Sequence, residues 1–303
     1  MKRTILIFFG LFYCSINLIF GQIEIVLRKS FIDSFKRRVT IETNYLIAKA
    51  HASPNSPSKD GDLHFSGTAA AIGLPIVAEI MNAKRENDAV GIVHDKEGTS
   101  DSVKLQGVWR IWCEHAGSDT RQEQGGTFPP ITGTNPDHIF EIHPVTNINN
   151  VNLLRSLKPI TGFTYKKAED AFFRYSNARC RIIPDGDRII IETNGVGFNY
   201  VEFWIELIDN DQLEVEDGRF VFCKVLDKSK EIISQKMRMV FPKDSPAEQK
   251  VKNLQAGDRM HVVGMPRLNF SLLSFRVEHS TENPDMLEWN LPVEMIIVAA
   301  FRR

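Results

Sequence analysis

The 303-residue chain has few cysteines, no excess of either charge and only one long apolar run. Its four cysteines form no Cys-x-x-Cys pair, which excludes a zinc ribbon or a thioredoxin-type redox motif. Lys and Arg number 37 against 38 Asp and Glu, a formal net charge of -1. That balance excludes a disordered acidic or basic tail protein. No P-loop, dinucleotide fingerprint, Gly-x-Ser-x-Gly elbow or His-Glu-x-x-His occurs, so no reaction is announced by a motif. What remains is ordinary globular composition, 43% hydrophobic and 25% charged, long enough for two domains.

The single long apolar run is at the start. Lys2 and Arg3 precede an apolar stretch from Thr4 to Phe20, and Gly21 supplies a small residue before Gln22. This is the layout of a secretory signal peptide, residues 1–21. The run is short for a membrane span, which needs roughly 20 apolar residues. The expected product starts at Gln22 and is exported, periplasmic or extracellular. Loss of Lys2 and Arg3 takes the basic count from 37 to 35 against 38 acids, a net charge of -3. Cys14 leaves with the leader. Cys113, Cys180 and Cys223 remain, an odd number that leaves at least one thiol free, and their apolar contexts suit buried free cysteines.

Hydrophobic alternation predicts a mainly β protein. In the first half, strands are expected at Arg38–Ala50, Asp62–Thr68, Leu74–Met81, Val103–His115 and His138–Ile148. A polar excursion, Ala83–Asp101, follows the third strand and has room for a short helix. Three strands, an insert and two more strands is the order of an OB-fold barrel. The expected domains are therefore 22–148, an OB-like five-stranded barrel, and 161–303, a second mainly β unit for which another barrel is one reading. A polar linker, 149–160, joins them. The second half is expected to open with a helix over Tyr165–Tyr175 and to carry a short helix over Pro246–Leu254. Its last strands are expected at Arg259–Met265, Leu272–Glu278 and Val293–Phe301. Phe270, Phe275 and Trp289 are expected in its core.

Residues two apart on a strand share a face. Asp62 and His64 form one such pair, and Glu141 and His143 another. Glu79 is a carboxylate between apolar Ala78 and Ile80. If the strands are neighbours, Asp62, His64, Glu79, Glu141 and His143 converge. That set suits Zn²⁺ or Mn²⁺, and a His beside a carboxylate suits proton transfer. Glu114 and His115 close the fourth strand and are candidates for the same patch.

Three short motifs carry a resemblance. Lys59-Asp60-Gly61-Asp62-Leu63-His64, then Val77-Ala78-Glu79-Ile80, then Phe140-Glu141-Ile142-His143-Pro144-Val145 resemble the pattern of a group of uncharacterised exported bacterial proteins with an OB-like barrel. The resemblance covers residues 38–148. It implies a small β-barrel and a shared role for the Asp62, His64, Glu79, Glu141 and His143 set. The group also carries a Val-Thr-Gly-Val-Gly-Phe-Phe-Asp run and a His-Gly-Gln loop. Here Gly107–Trp112 and Gly133–Pro136 stand in that region instead.

Two functions from different classes follow. One is an exported binding protein for an oligosaccharide or oligonucleotide, the ligands OB-like barrels take on a face and its loops. A net charge of -3 gives no footprint for general nucleic-acid binding. The other is a metal-dependent hydrolase, phosphodiesterase-like or nuclease-like, with the cluster holding a divalent ion and activating water.

Overall fold

The computed structural model describes residues 23–117, 121–279 and 288–301. The expected leader lies outside the described residues. In chain order the strands are β1 Ile23–Arg28, β2 Thr40–Ala50, β3 Leu63–Thr68, β4 Pro75–Ile80, β5 Val103–Ile111, β6 Arg121–Glu123, β7 Phe140–Ile148, β8 Val151–Asn152 and β9 Lys166–Lys167. They continue with β10 Arg179–Asp185, β11 Arg188–Thr193, β12 Val201–Leu207, β13 Leu213–Val215, β14 Gly218–Leu226, β15 Ile232–Pro242, β16 Arg259–Leu268, β17 Glu288–Asn290 and β18 Val293–Ala300. The helices are α1 Lys29–Phe35, α2 Asn87–Lys96, α3 Ala168–Asn177, α4 Pro246–Val251 and α5 Phe270–His279.

The chain builds two closed five-stranded barrels. In the first, the order β4-β3-β2-β5-β7 is closed by the parallel pair β4–β7, and α2 lies between the third and fourth barrel strands. In the second, β14-β15-β18-β16-β12 is closed by β14–β12, with β15–β18 as the parallel pair and α4 in the matching place. Both have the OB-like arrangement. Strand β2 shows why the pattern folds so: Ile41, Thr43, Tyr45 and Ile47 are buried while Glu42, Asn44 and Leu46 are exposed.

Beyond the barrels, a third sheet draws on both halves, in the order β17-β10-β11-β1-β6. Strand β1 pairs antiparallel with β11, so residues 23–28 and 188–193 share a ladder across the expected boundary. The 149–160 stretch packs onto the first barrel rather than hanging free. Leu153, Leu157 and Ile160 are buried, and the Asn82 amide donates to the carbonyls of Ser156 at 2.8 Å and Lys158 at 3.0 Å.

Two expectations fail locally. Leu272–Glu278 is not a strand but most of α5. Asn269 starts the helix, its side chain accepting from Leu272 N at 3.0 Å and its carbonyl from Leu273 N at 2.9 Å. Phe270, Leu273 and Ser274 then fall on one buried face at helical spacing. Phe275 lies off that face and is exposed, while Phe270 is in the core as expected. Cys113, Cys180 and Cys223 are free and buried. Among the described residues no helix is long and apolar enough to cross a membrane.

Candidate functional site

Alternation on β4 sorts its side chains. Ile76, Ala78 and Ile80 join the main core; on the opposite face are Val77, Glu79 and, just beyond the strand, Met81. Met81 packs in a separate apolar cluster with Val39 and Val108 of the first barrel and Tyr200, Phe220, Val240, Met265 and Ile296 of the second. Glu79 therefore points toward the joint between barrels.

Strand register brings the other expected residues to the same place. His64 sits opposite Glu79 on β3–β4, and Val77 opposite Glu141 on β4–β7. His64 Nε2 lies 3.2 Å from Glu79 Oε2, and His143 Nδ1 lies 3.4 Å from the same oxygen and 3.5 Å from Glu141 Oε2. His143 Nε2 is 3.4 Å from Asp62 Oδ2. All five sequence-derived residues converge. Asp62, Glu79, Glu141 and His143 are at most 3% exposed, and the His64 side chain reaches only 12%.

Four further residues complete the cluster. The Tyr200 hydroxyl donates to Asp62 Oδ2 and lies 2.8 Å from His143 Nε2. Its one proton goes to the carboxylate, so His143 Nε2 supplies the proton of the second contact. Fully buried Arg110 donates to Glu141 through one terminal nitrogen and, through Nε, to the Pro266 carbonyl at 2.8 Å. His138 Nε2 is 3.3 Å from Glu141 Oε1, and Asp60 Oδ2 is 3.6 Å from His64 Nε2. Glu114 reaches Arg110 at 3.4 Å, whereas His115 stays outside the cluster, its ring stacked on His138 at 5.2 Å between centroids and its carbonyl accepting from His138 N at 2.9 Å. Sequence reasoning overlooked Arg110 although it interrupts an apolar run beside Trp109, which is itself a signal. Tyr200 left none, being 57 residues from His143 and in the other barrel.

The fields are strong in both directions. Burial pushes the Asp62 carboxyl up to about 6 against the pull of His143. Burial lowers the two imidazoles, but carboxylates outweigh it: Glu79 and Asp60 take His64 up to about 9, and Glu79, Asp62 and Glu141 take His143 up to about 10. Burial would raise Glu141, yet Arg110, with His138 and His143, holds it well below the usual carboxylate range. Burial and the Asp62 charge push the Tyr200 phenol well up.

One part of the site is duplicated in the second barrel and the rest is not. Arg110 pairs with Glu141 across β5–β7, and Arg267 pairs with Glu294 across β16–β18, in each case between the penultimate residue of one strand and the second residue of the other. The two arginines reach across reciprocally. Arg110 donates to the carbonyl before Arg267, and Arg267 donates at 3.0 Å to the Trp109 carbonyl before Arg110. Following the same register, His64 opposite Glu79 corresponds to Phe220 opposite Val240, and His143 corresponds to Ile296. Asp62, Glu79 and His143 each offer a ligand atom within 4.8 Å of the others, the arrangement that could hold a metal ion.

No family model matches the chain, and no curated protein matches it. Among solved structures it is similar to a single-stranded DNA binding protein from Thermus aquaticus, at 7% identity over 88% of this chain and 91% of that one, with a TM-score of 0.22. A structure described as "Structural mimicry for functional antagonism" aligns at 10% identity over 84% and 87%, TM-score 0.18. A murine DNA binding protein bound with double-stranded DNA aligns at 11% identity over 85% and 90%, TM-score 0.19. Likeness this low carries no argument about function, and the barrel assignment rests on the strand pairing above.

Proposed function

We propose that this is an exported binding protein, not an enzyme, whose ligand is of the oligosaccharide or oligonucleotide class. The observation that carries the reading is the enclosure of the ionisable cluster. Asp62, Glu79, Glu141 and His143 are each at most 3% exposed, so no substrate bond can be brought to them. Barrels of this kind take ligands on an outer face and its loops. The net charge of -3 expected after loss of residues 1–21 favours an uncharged ligand over a polyanion. Export belongs to the same proposal, supported by the leader-like residues 1–21 and by the resemblance to exported bacterial proteins. Intact mass of the native product should place its start at or near Gln22.

The hydrolase reading draws on one observation. Asp60 and His64 reach the surface, with 23% and 12% of their side chains exposed. Glycan arrays and labelled single-stranded oligonucleotides, read by fluorescence anisotropy, separate the two. Saturable binding without product formation is the expected result. Metal-dependent turnover of a phosphodiester that disappears in His64→Ala would replace the binding reading with the hydrolase.

A further inference from the structure

The geometry points to a first-row divalent cation of the Zn²⁺ class, held by Asp62, Glu79 and His143 with His64 at its edge, as a fixed part of the joint between barrels. It holds whether or not the protein binds a glycan or an oligonucleotide.

Charge is the first argument. Three buried carboxylates, Asp62, Glu79 and Glu141, face one buried guanidinium, Arg110, which leaves two negative charges uncompensated. Buried charge is tolerated only when paired. One dication balances it, and so do two protons, one on each of His64 and His143.

Hydrogen-bond geometry separates these two ways. A protonated His143 would direct Nδ1–H at Glu79 or Glu141, and a protonated His64 would direct a ring proton at Glu79. Yet His143 Nδ1, His64 Nδ1 and His64 Nε2 are all buried with no hydrogen-bond partner, although carboxylate oxygens stand 3.2 to 3.5 Å from two of them. These are close approaches in which the ring N–H direction is not aligned with the oxygen. Donor atoms bound about 2.1 Å from one tetrahedral ion stand roughly 3.4 Å apart, the spacing seen between His143 Nδ1 and Glu79 Oε2. Around this point, the Tyr200 contact orients His143 and leaves Nδ1 as its ligand atom. Asn82 N, at 3.2 Å from Asp62 Oδ1, together with Tyr200 orients that carboxylate.

The second barrel is an internal control. It keeps the buried Arg–Glu pair, so that pair does not require the other ligands. At the three corresponding positions it has Phe220, Val240 and Ile296, which pack together in the joint. An apolar trio fits this frame, so His64, Glu79 and His143 are not needed for the barrels to close. Imidazole with carboxylate selects Zn²⁺ or Mn²⁺ over Mg²⁺ or Ca²⁺.

The test uses the full mature chain, purified without chelator, analysed for metals, stripped with dipicolinate and titrated with Zn²⁺, Mn²⁺ and Mg²⁺ by calorimetry. The expected result is about one Zn²⁺ or Mn²⁺ per chain and a melting temperature that rises on reloading. Glu79→Gln keeps the shape and should lower metal affinity at least about tenfold, while its metal-free form melts no lower than the metal-free wild type. Should Glu79→Gln fail to fold, the wild-type titration decides alone. Absence of stoichiometric metal, with no calorimetric or thermal response to any of the three ions, would overturn the inference. So would undiminished metal in a folded Glu79→Gln protein.

Discussion

The two barrels solve one packing problem with different chemistry. Each presents a buried Arg–Glu pair to the other, and each arginine caps a carbonyl of the opposite barrel. In the second barrel the pair is over-compensated. Glu294 accepts from Arg267 at 2.7 Å and also from Arg238, while Arg267 bonds the carbonyls of Val39 and Trp109 and lies 3.7 Å over the Trp109 ring. At the positions matching His64, Glu79 and His143 its neighbours are apolar, Phe220, Val240 and Ile296. In the first barrel the same pair stands among extra carboxylates and imidazoles. The shared part is therefore the means of joining, and the unshared part, His64, Glu79 and His143, is the part that needs a reason.

The largest expected effect lies in the shared part. Arg267→Met leaves Glu294 to Arg238 alone and takes the arginine donor from the Val39 and Trp109 carbonyls, while the Arg38 carbonyl keeps Trp109 Nε1. Breaking a buried pair from one side costs about 3 to 5 kcal/mol. Arg110→Met should cost a similar amount, because it leaves Glu141 to His138 and His143 alone. Urea unfolding measures both. A cost under about 1 kcal/mol in either barrel would break the equivalence.

The pH response of the metal-free protein should be smaller and should arise in the first barrel. His64 at about 9 and His143 at about 10, against an ordinary 6.5, mean that the folded chain holds extra protons between about 6.5 and 10. Their stabilisation is complete below about 6.5 and is lost as pH rises through 9 to 10. Asp62, raised to about 6 from 3.8, acts with the same sign at lower pH. Metal-free stability should thus fall as pH rises. In His143→Ile, which installs the residue found in the second barrel, the fall above neutrality should shrink. Denaturant midpoints at pH 6, 8 and 9.5 test this, and an unchanged slope in the variant would contradict it.

The smallest effect is expected at the rim. His64→Phe installs the second barrel's residue at a position whose side chain is already 12% exposed. At pH 9.5, where the His64 proton no longer contributes, it should change the stability of the metal-free protein by less than about 1 kcal/mol while weakening metal retention. A large loss of stability would make His64 a structural residue like Arg110.

Much of this was legible in advance, and what was not has a physical cause. Period-two alternation placed the strands of the first barrel to within a few residues, and shared-face pairing found Asp62, His64, Glu79, Glu141 and His143. The order of three strands, an insert and two strands pointed to the barrel whose closure β4–β7 supplies. Convergence itself depended on register between strands more than 60 residues apart, as for Glu79 and Glu141, which alternation does not encode. Leu272–Glu278 misled because a short apolar run fits a strand or a helix, and Asn269 decided the matter. A repeat between the barrels lies in Trp109-Arg110-Ile111 with Phe140-Glu141-Ile142, matched by Pro266-Arg267-Leu268 with Val293-Glu294-Met295.

The most direct measurement is anomalous diffraction at the zinc edge from crystals of the mature chain grown with Zn²⁺. One peak among Asp62, Glu79 and His143, with none among Phe220, Val240 and Ile296, is the predicted result. A structure without that peak, with His64 and His143 turned to donate ring protons to Glu79 and Glu141, would show that protons balance the first barrel's charge and would contradict the account.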